Sequence, residues 1–341
     1  MRRKKTKRSF TPANALFQQR RAKTAGRKGL FSTRFYESIK DLDSPKVCIV
    51  RKVGGIGDVL MITPALRELK KRVPTMELTL GIDRHSTYGD IYYELLKNAD
   101  FIDHLVDARY VDRKNYYNCV DISAVCIPYE RKSLPTRNRI NIFANHLGMQ
   151  KLEDPTPFYK KVEKEEVWAK AYMEKHFRVG AGPIIALHTA SNEDKRSWPV
   201  HQMLNFIKYM QYHVSSVQFL ILDQNNTYAD WGKMRNTVCL KSSTVREMAA
   251  LIDETTLFVG PDSGPMHLAG ALGKKSVVIF GSIPPEARIN HYPNHVGVRM
   301  DELKCIGCWY SKCPYNFKCM EKLSGSRVGD AALKHLHGLS P

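Results

Sequence analysis

The stretch Gly260–Gly281, GPDSGPMHLAGALGKKSVVIFG, follows an apolar run at Thr256–Val259 and closes on a second at Ser276–Phe280. Short apolar runs flanking a helix-compatible segment read as strand, turn, helix and strand, the repeating unit of a parallel α/β sheet. At the turn, Asp262 and Ser263 are residue types that favour helix N-caps, and Pro265 suits the first helical position. Gly264 has no side chain, so a ligand can approach the backbone there. Free N–H groups and the positive end of a helix dipole make such a turn an anion site. His267, one turn further in, can add a donor to a phosphate or ribose oxygen. The same residues also describe a plain capped helix of any α/β protein.

At 341 residues and 43% hydrophobic content, the chain can build two domains of ordinary size. No apolar run approaches the ~18 residues of a membrane span, so the expectation is a cytoplasmic protein, peripheral to a membrane at most. Of the net charge of +19, +11 sits in Met1–Lys46. That segment has no apolar core of signal-peptide length and reads as a solvated basic arm, or as one that contacts nucleic acid or an anionic membrane surface by releasing counterions. A mitochondrial transit peptide fits its opening RRKK cluster poorly. Four of the eight cysteines, Cys48, Cys119, Cys126 and Cys239, lie in core-like segments and read as buried thiols in a reducing compartment.

Lys46–Val53 is a buried-strand run, followed by Gly54, Gly55 and Gly57 and a helical stretch from Val59 to Arg72. This is a Rossmann-type opening, yet a poor dinucleotide fingerprint: the third glycine position holds Leu60, and Asp58 would repel a pyrophosphate. On residue type alone, Asp58 is a helix N-cap. Alternation continues with strands at Met76–Ile82, Phe101–Val106 and Asn118–Pro128 and a helix at Tyr88–Lys97, which calls for a parallel sheet. Arg131, Lys132, Arg137 and Arg139 precede a helix at Ile140–Leu147 and serve either as its solvated start or as an anion-binding stretch. Lys151–Lys161, with two prolines, reads as an interdomain connection. A second α/β unit follows, with a helix at Glu163–Arg178, strands at Ile184–His188 and Gln218–Leu222, a helix at Val245–Ile252 and a last helix at Ser326–Leu339.

Cys305, Cys308, Cys313 and Cys319 form a C-x2-C-x4-C-x5-C cluster. Four thiolates at this spacing can hold zinc or iron tetrahedrally; reduced thiols or disulfides are the other readings.

Asp262–Gly273 resembles the D-[ST]-G-x-x-H-L-A-x-A-L-G signature of glycosyltransferase family 9, the ADP-heptose:lipopolysaccharide heptosyltransferases. Gly54–Lys70 resembles the N-terminal motif of that family, and the cysteine segment through Met320 resembles its tail motif, where related protein heptosyltransferases are thought to bind iron. The resemblance implies a GT-B fold, two Rossmann-like domains whose parallel sheets face a cleft. It assigns residues 1–45 to the basic arm, 46–160 to an acceptor-binding domain, 161–325 to a nucleotide-sugar-binding domain and 326–341 to a C-terminal helix, which in such folds often crosses back to the first domain.

The implied chemistry is inverting, metal-independent transfer of a sugar, above all heptose, from an ADP-sugar to a hydroxyl. The acceptor would be a lipopolysaccharide or other cell-surface glycan, or else a protein or modified nucleic acid. Asp58 becomes the general base. In the loop Thr189–Pro199, Thr189 and Ser191 would donate to phosphate, and Lys195 or Arg196 would neutralise the leaving diphosphate. The family places its basic residue two before the Trp, here Arg196, but the loop is one residue longer, so both stand. Asp223 occupies the place of an acidic residue that meets the ribose, while Asp262, Ser263, Gly264 and His267 face the diphosphate and nucleoside. Any metal on the cysteines would be structural zinc or iron, with no cofactor for the chemistry. A reading of another class is an inactive nucleic-acid-binding or assembly protein that kept the fold and uses the arm. The oligomeric state stays open.

Overall fold

The structure is a computed structural model that describes residues 34–86, 89–130, 137–191, 193–224, 227–240, 243–308 and 313–338. Residues 1–33 of the basic arm, together with Arg131 and Lys132, lie outside the described residues. A short helix α1 (Phe35–Ile39), inside the stretch read as arm, buries Phe35 and Ile39 completely and belongs to the first core.

The first domain runs β1 (Lys46–Arg51), α2 (Ile56–Arg72), β2 (Glu77–Ile82), α3 (Gly89–Leu96), β3 (His104–Asp107), β4 (Asn118–Asp121) and α4 (Arg139–His146). Its four strands pair in parallel in the order β3-β2-β1-β4. The strand read at Asn118–Pro128 stops at Asp121, where the chain turns and enters a 3-10 turn at Ile127–Tyr129. Helix α2 contains Pro64, whose missing N–H leaves the Leu60 carbonyl without its helical donor. The Thr63 hydroxyl donates to that carbonyl at 2.7 Å and accepts from the Phe158 backbone N–H at 2.7 Å, which fastens the connector to α2.

The second domain runs α5 (Glu163–His176), β5 (Ile184–His188), α6 (Val200–His213), β6 (Gln218–Leu222), β7 (Thr237–Leu240), α7 (Val245–Glu254), β8 (Leu257–Pro261), α8 (Gly264–Ala271), β9 (Ser276–Ile279), α9 (Glu286–Ile289), β10 (His295–Val298), α10 (Lys318–Glu321) and α11 (Gly325–Leu336). Six parallel strands pair as β10-β9-β8-β5-β6-β7. Every residue of β6, β8 and β9 is buried, as a parallel sheet covered on both faces requires. Strands β7 and β10, absent from the sequence reading, are four-residue edges whose half-buried residues carry no long apolar run. Helix α11 packs along α6 and against the strands of its own sheet, where a return to the first domain was expected.

The strand order reverses between β5 and β8, and an open α/β sheet binds ligands outside the carboxyl ends of the strands at such a switch point. The loops leaving β5 and β8 are those carrying Thr189 and Asp262. The N-terminus of α2 closes on that point from the other domain. A Cβ on Gly57 would lie 2.2 Å from the His267 ring, and one on Gly264 would lie 2.9 Å from Ile56. The motif glycines thus let two helix ends from different domains meet. At the far side of the interface, Arg246 of α7 donates to the carbonyl of Glu94 in α3 at 2.9 Å and to that of Lys160 in the connector at 2.9 Å. Among the described residues, no helix is long and apolar enough to cross a membrane.

Candidate active site

Between the two sheets lies a cleft of about 400 Å3, lined from the first domain by Gly54–Asp58, Glu130 and Arg139 and from the second by His188–Ser191, Lys195, Arg196, Asp262–Pro265, His267 and Arg288. The first wall begins at Gly54, whose φ of +132° is open to glycine and strained for any other residue. This turn brings Asp58 back so that its Oδ2 accepts the Gly55 N–H at 3.0 Å. The N-cap of α2 is Gly55, so Asp58 is not the cap that its residue type suggested; it lies at the third helical position and reaches back to the N-cap N–H, the N3 half of a capping box.

The other Asp58 oxygen faces two arginines. Arg51 of β1 stands 3.3 Å away, fixed by donating to the Ile122 and Ser123 carbonyls at 2.8 and 3.1 Å, and Arg139 of α4 donates to the same oxygen. Burial alone would raise the Asp58 carboxyl, but Arg139 and Arg51 hold it far below the ordinary carboxylate range. Arg139, read as either a solvated helix start or an anion binder, is half-buried and pairs with both Asp58 and Glu130. Glu130 also meets Arg288 of the second domain at 3.3 Å, and Arg288 meets Asp262 at 3.5 Å. Arg196 completes the row, donating to the Asp262 carbonyl at 2.9 Å and lying 3.6 Å from its carboxylate. Asp262 Oδ2 is buried without a hydrogen bond of its own.

The Asp262 turn leaves the start of α8 open. Ser263 is the N-cap of α8, yet its side chain caps no helix N–H; its hydroxyl donates to the Pro261 carbonyl at 3.1 Å and meets His188 Nδ1 at 3.1 Å. The first N–H groups of α8 are left without a side-chain cap, the condition under which a helix terminus attracts an anion. His267 is only 3% exposed, with Nδ1 2.7 Å from the Tyr292 hydroxyl and Nε2 3.9 Å from Asp262 Oδ1. Burial pushes its imidazole down to about 3, so it is neutral at pH 7.

Of the residues expected at the site, Asp58, Ser191, Lys195, Arg196, Asp262, Ser263, Gly264 and His267 converge on the cleft. Lys195 and Arg196 both pair with Glu193, at 3.1 and 3.4 Å, and of the two Arg196 also reaches the Asp262 turn. Thr189 lines the cleft, and its hydroxyl donates to Asp223 Oδ1 at 3.0 Å. Asp223 does not reach the cleft surface. It is 2% exposed, and its carboxylate accepts from the Thr227 N–H at 2.8 Å and Trp231 Nε1 at 2.9 Å, so it braces the loop after β6. Arg51, Glu130, His188 and Arg288 were missed. Arg51 and His188 end strands, Glu130 follows a 3-10 turn and Arg288 lies in the short helix α9, all outside any motif, and only the fold brings them in.

The four cysteines of the cluster line a second cavity of about 30 Å3 with Ser282, Ile306, Pro314, Tyr315 and Lys318. All are free thiols, and the N–H groups of Tyr315 and Phe317 donate to Cys313 Sγ at 3.4 and 3.3 Å. Among the described residues, no three ligands are gathered closely enough to hold a metal ion. A four-thiol donor set with N–H···S support nevertheless fits a soft cation once the sulfurs draw together. The cluster braces the donor loop: Met320 and the Lys195 carbonyl both press on Gly281, and Trp198 Nε1 donates to the Leu323 carbonyl at 2.8 Å.

Two parallel-sheet domains with their switch points on one cleft define the GT-B class of glycosyltransferase architecture. The chain belongs to glycosyltransferase family 9 (heptosyltransferase), whose family model matches residues 137–317, just over half of the sequence. It is 31% identical over 109 residues to lipooligosaccharide heptosyltransferase 2 of Campylobacter jejuni, a match covering 31% of this chain and about a third (34%) of that protein. It is 21% identical over 296 residues to lipopolysaccharide heptosyltransferase 1 of Campylobacter coli, covering 70% of this chain and 84% of that one. The fold matches that of the iron-containing heptosyltransferase TibC of enterotoxigenic E. coli, solved with ADP-D-β-D-heptose, at a TM-score of 0.63 and 16% identity over 87% of this chain and 77% of TibC.

Burial also pushes His188 and His295 down to about 4 each. With an unfolded value near 6.5, the unfolded chain binds protons that the folded one refuses as pH falls from about 6.5 towards 4, so folding stability drops across that window. The combined effect of His188, His267 and His295 is on the order of a few kcal/mol. His295 meets the Met266 carbonyl from outside the cleft, so His295→Gln should make the fall in unfolding midpoint between pH 7 and 4.5 shallower. An unchanged pH slope would contradict this assignment.

Proposed function

We propose that the protein transfers heptose from ADP-heptose, with inversion, to a hydroxyl of a cell-surface glycan. The observation that carries this reading is the meeting, in one cleft, of a doubly paired carboxylate from the first domain with an uncapped helix terminus and Arg196 from the second. Family membership supports sugar transfer, and the ADP-heptose in TibC together with the names of the Campylobacter relatives supports the donor and the glycan acceptor.

In this reading the acceptor oxygen attacks the anomeric carbon as its proton passes to Asp58, and the bond from that carbon to the β-phosphate oxygen breaks in the same displacement. The electron pair leaves with ADP. The first N–H groups of α8, with Arg196 and Lys195 beside them, meet the charge that grows on the leaving diphosphate. Asp58 stays ionised throughout the working pH range, so it is always ready to accept a proton. Its arginine partners weaken it as a base until one of them turns to a substrate.

Calorimetric titration with ADP, UDP, GDP and ADP-heptose tests the donor site. Selective binding of the adenine nucleotides, weakened about tenfold by Ser263→Ala with its hydroxyl removed from the turn, is the expected result. Equal binding of all three diphosphates, or of none at millimolar concentration, overturns the reading. The cysteine cluster is read as a structural zinc or iron site held by Cys305, Cys308, Cys313 and Cys319. Metal analysis of the purified protein should give one equivalent, lost in Cys308→Ser with a lower unfolding midpoint; metal-free protein with an unchanged midpoint contradicts it.

A further inference from the structure

Among the described residues, Arg288 is the one guanidinium that touches acidic groups of both domains. It comes from the four-residue helix α9, is 4% exposed, and lines the cleft. Its Nε lies 3.5 Å from Asp262 Oδ2 and its Nη2 lies 3.3 Å from Glu130 Oε1. Neither distance is that of a short charged hydrogen bond. Arg196 and Arg288 stand on either side of the Asp262 carboxylate where the α8 terminus opens, and each has one further carboxylate at a long distance, Glu193 at 3.4 Å from Arg196 and Glu130 at 3.3 Å from Arg288. The buried Arg196 Nε and Asp262 Oδ2 have ion-pair neighbours at 3.4 to 3.6 Å but no hydrogen bond. Along the row from Arg51 to Arg196, four arginines meet Asp58, Glu130 and Asp262, and the pairs around Arg288 and Arg196 are long, so this end of the row can take a further anion.

We propose that Arg288 is a second diphosphate-binding cation, opposite Arg196, and that Glu130 of the facing domain competes with the diphosphate for it. This rests on the donor-site reading given above. When an ADP-sugar enters, Arg288 turns its Nη2 from Glu130 to a phosphate oxygen. Glu130 then keeps Arg139 as its sole close partner and draws that guanidinium away from Asp58. Donor binding in one domain thereby loosens the clamp on the carboxylate of the other. The base is freed only when a diphosphate occupies the donor site.

The helix bearing Arg288 is placed for this by contacts across the interface. Asn138 Nδ2, at the start of α4, donates to the Glu286 carbonyl at 3.1 Å, and His291 meets Asn141 at 2.7 Å. The same short helix α4 carries Arg139, so both arginines move with one contact between the domains.

The test compares ADP with adenosine, which has the same base and ribose and no phosphate, in wild type, Arg288→Gln, Arg288→Lys and Glu130→Gln, with unfolding midpoints measured alongside. Arg288→Gln should lose about tenfold to a hundredfold in ADP affinity while keeping adenosine affinity within about twofold. Arg288→Lys should recover part of the loss, because it restores the charge without the fork. Glu130→Gln should bind ADP severalfold more tightly, the opposite sign. A purely structural ion pair would weaken both ligands, and in the same direction for both positions. Unchanged ADP affinity in Arg288→Gln, parallel loss of adenosine, or weaker ADP binding in Glu130→Gln each overturns the proposal. Wild-type protein that binds adenosine and ADP equally would sink the donor-site reading itself.

Discussion

A buried carboxylate held between two arginines is the constraint on which the site depends. Asp58 is 8% exposed and could not stay ionised there without Arg51 and Arg139. Each arginine is in turn fixed by a different part of the fold: Arg51 by the carbonyls that end the β4 region, Arg139 by Glu130. Glu130 leads through Arg288 to Asp262 and Arg196. Charges alternate in sign along this row from the first sheet to the second, so the approach of the domains and the electrostatics of the cleft are one arrangement. The reciprocal contacts of Gly57 with His267 and Gly264 with Ile56 set the distance at which the row closes.

The two strand–turn–helix motifs were legible because they are local. Apolar runs announce buried parallel strands, and glycine with a capping residue announces the turn. Both sheets, the cleft and most of the motif residues follow from that pattern. What escaped is non-local. Edge strands β7 and β10 are half-buried and carry no apolar run to report them. Arg139 looked like a solvated charge because nothing in its neighbourhood shows that α4 points it at Asp58. Asp223 looked like a ligand residue because it ends a strand, while the Trp231 indole and the Thr227 amide that consume its oxygens lie several residues on. The family pattern named Asp58 and the Asp262 turn but gave no sign of Glu130 or Arg288, which lie outside its motifs.

The cysteine segment adds support from behind. Met320, Leu323 and the Trp198 indole hold the loop that carries Lys195 and Arg196 against Gly281. Sequence spacing indicated a compact thiol cluster, whereas its position directly beneath the donor loop required the fold. Local order in this segment therefore bears on how firmly the Arg196 guanidinium is presented to the Asp262 turn.

The account stands or falls on Asp58 acting in transfer and not in donor binding. The decisive measurement is the rate of sugar transfer, or of donor turnover to water where the acceptor is unknown, set beside donor affinity for wild type and Asp58→Asn. Asparagine can still accept the Gly55 N–H, so the turn should hold. The account predicts a rate lower by about a hundredfold or more with donor affinity retained. Equal rates, or a loss explained wholly by weaker donor binding, would contradict it.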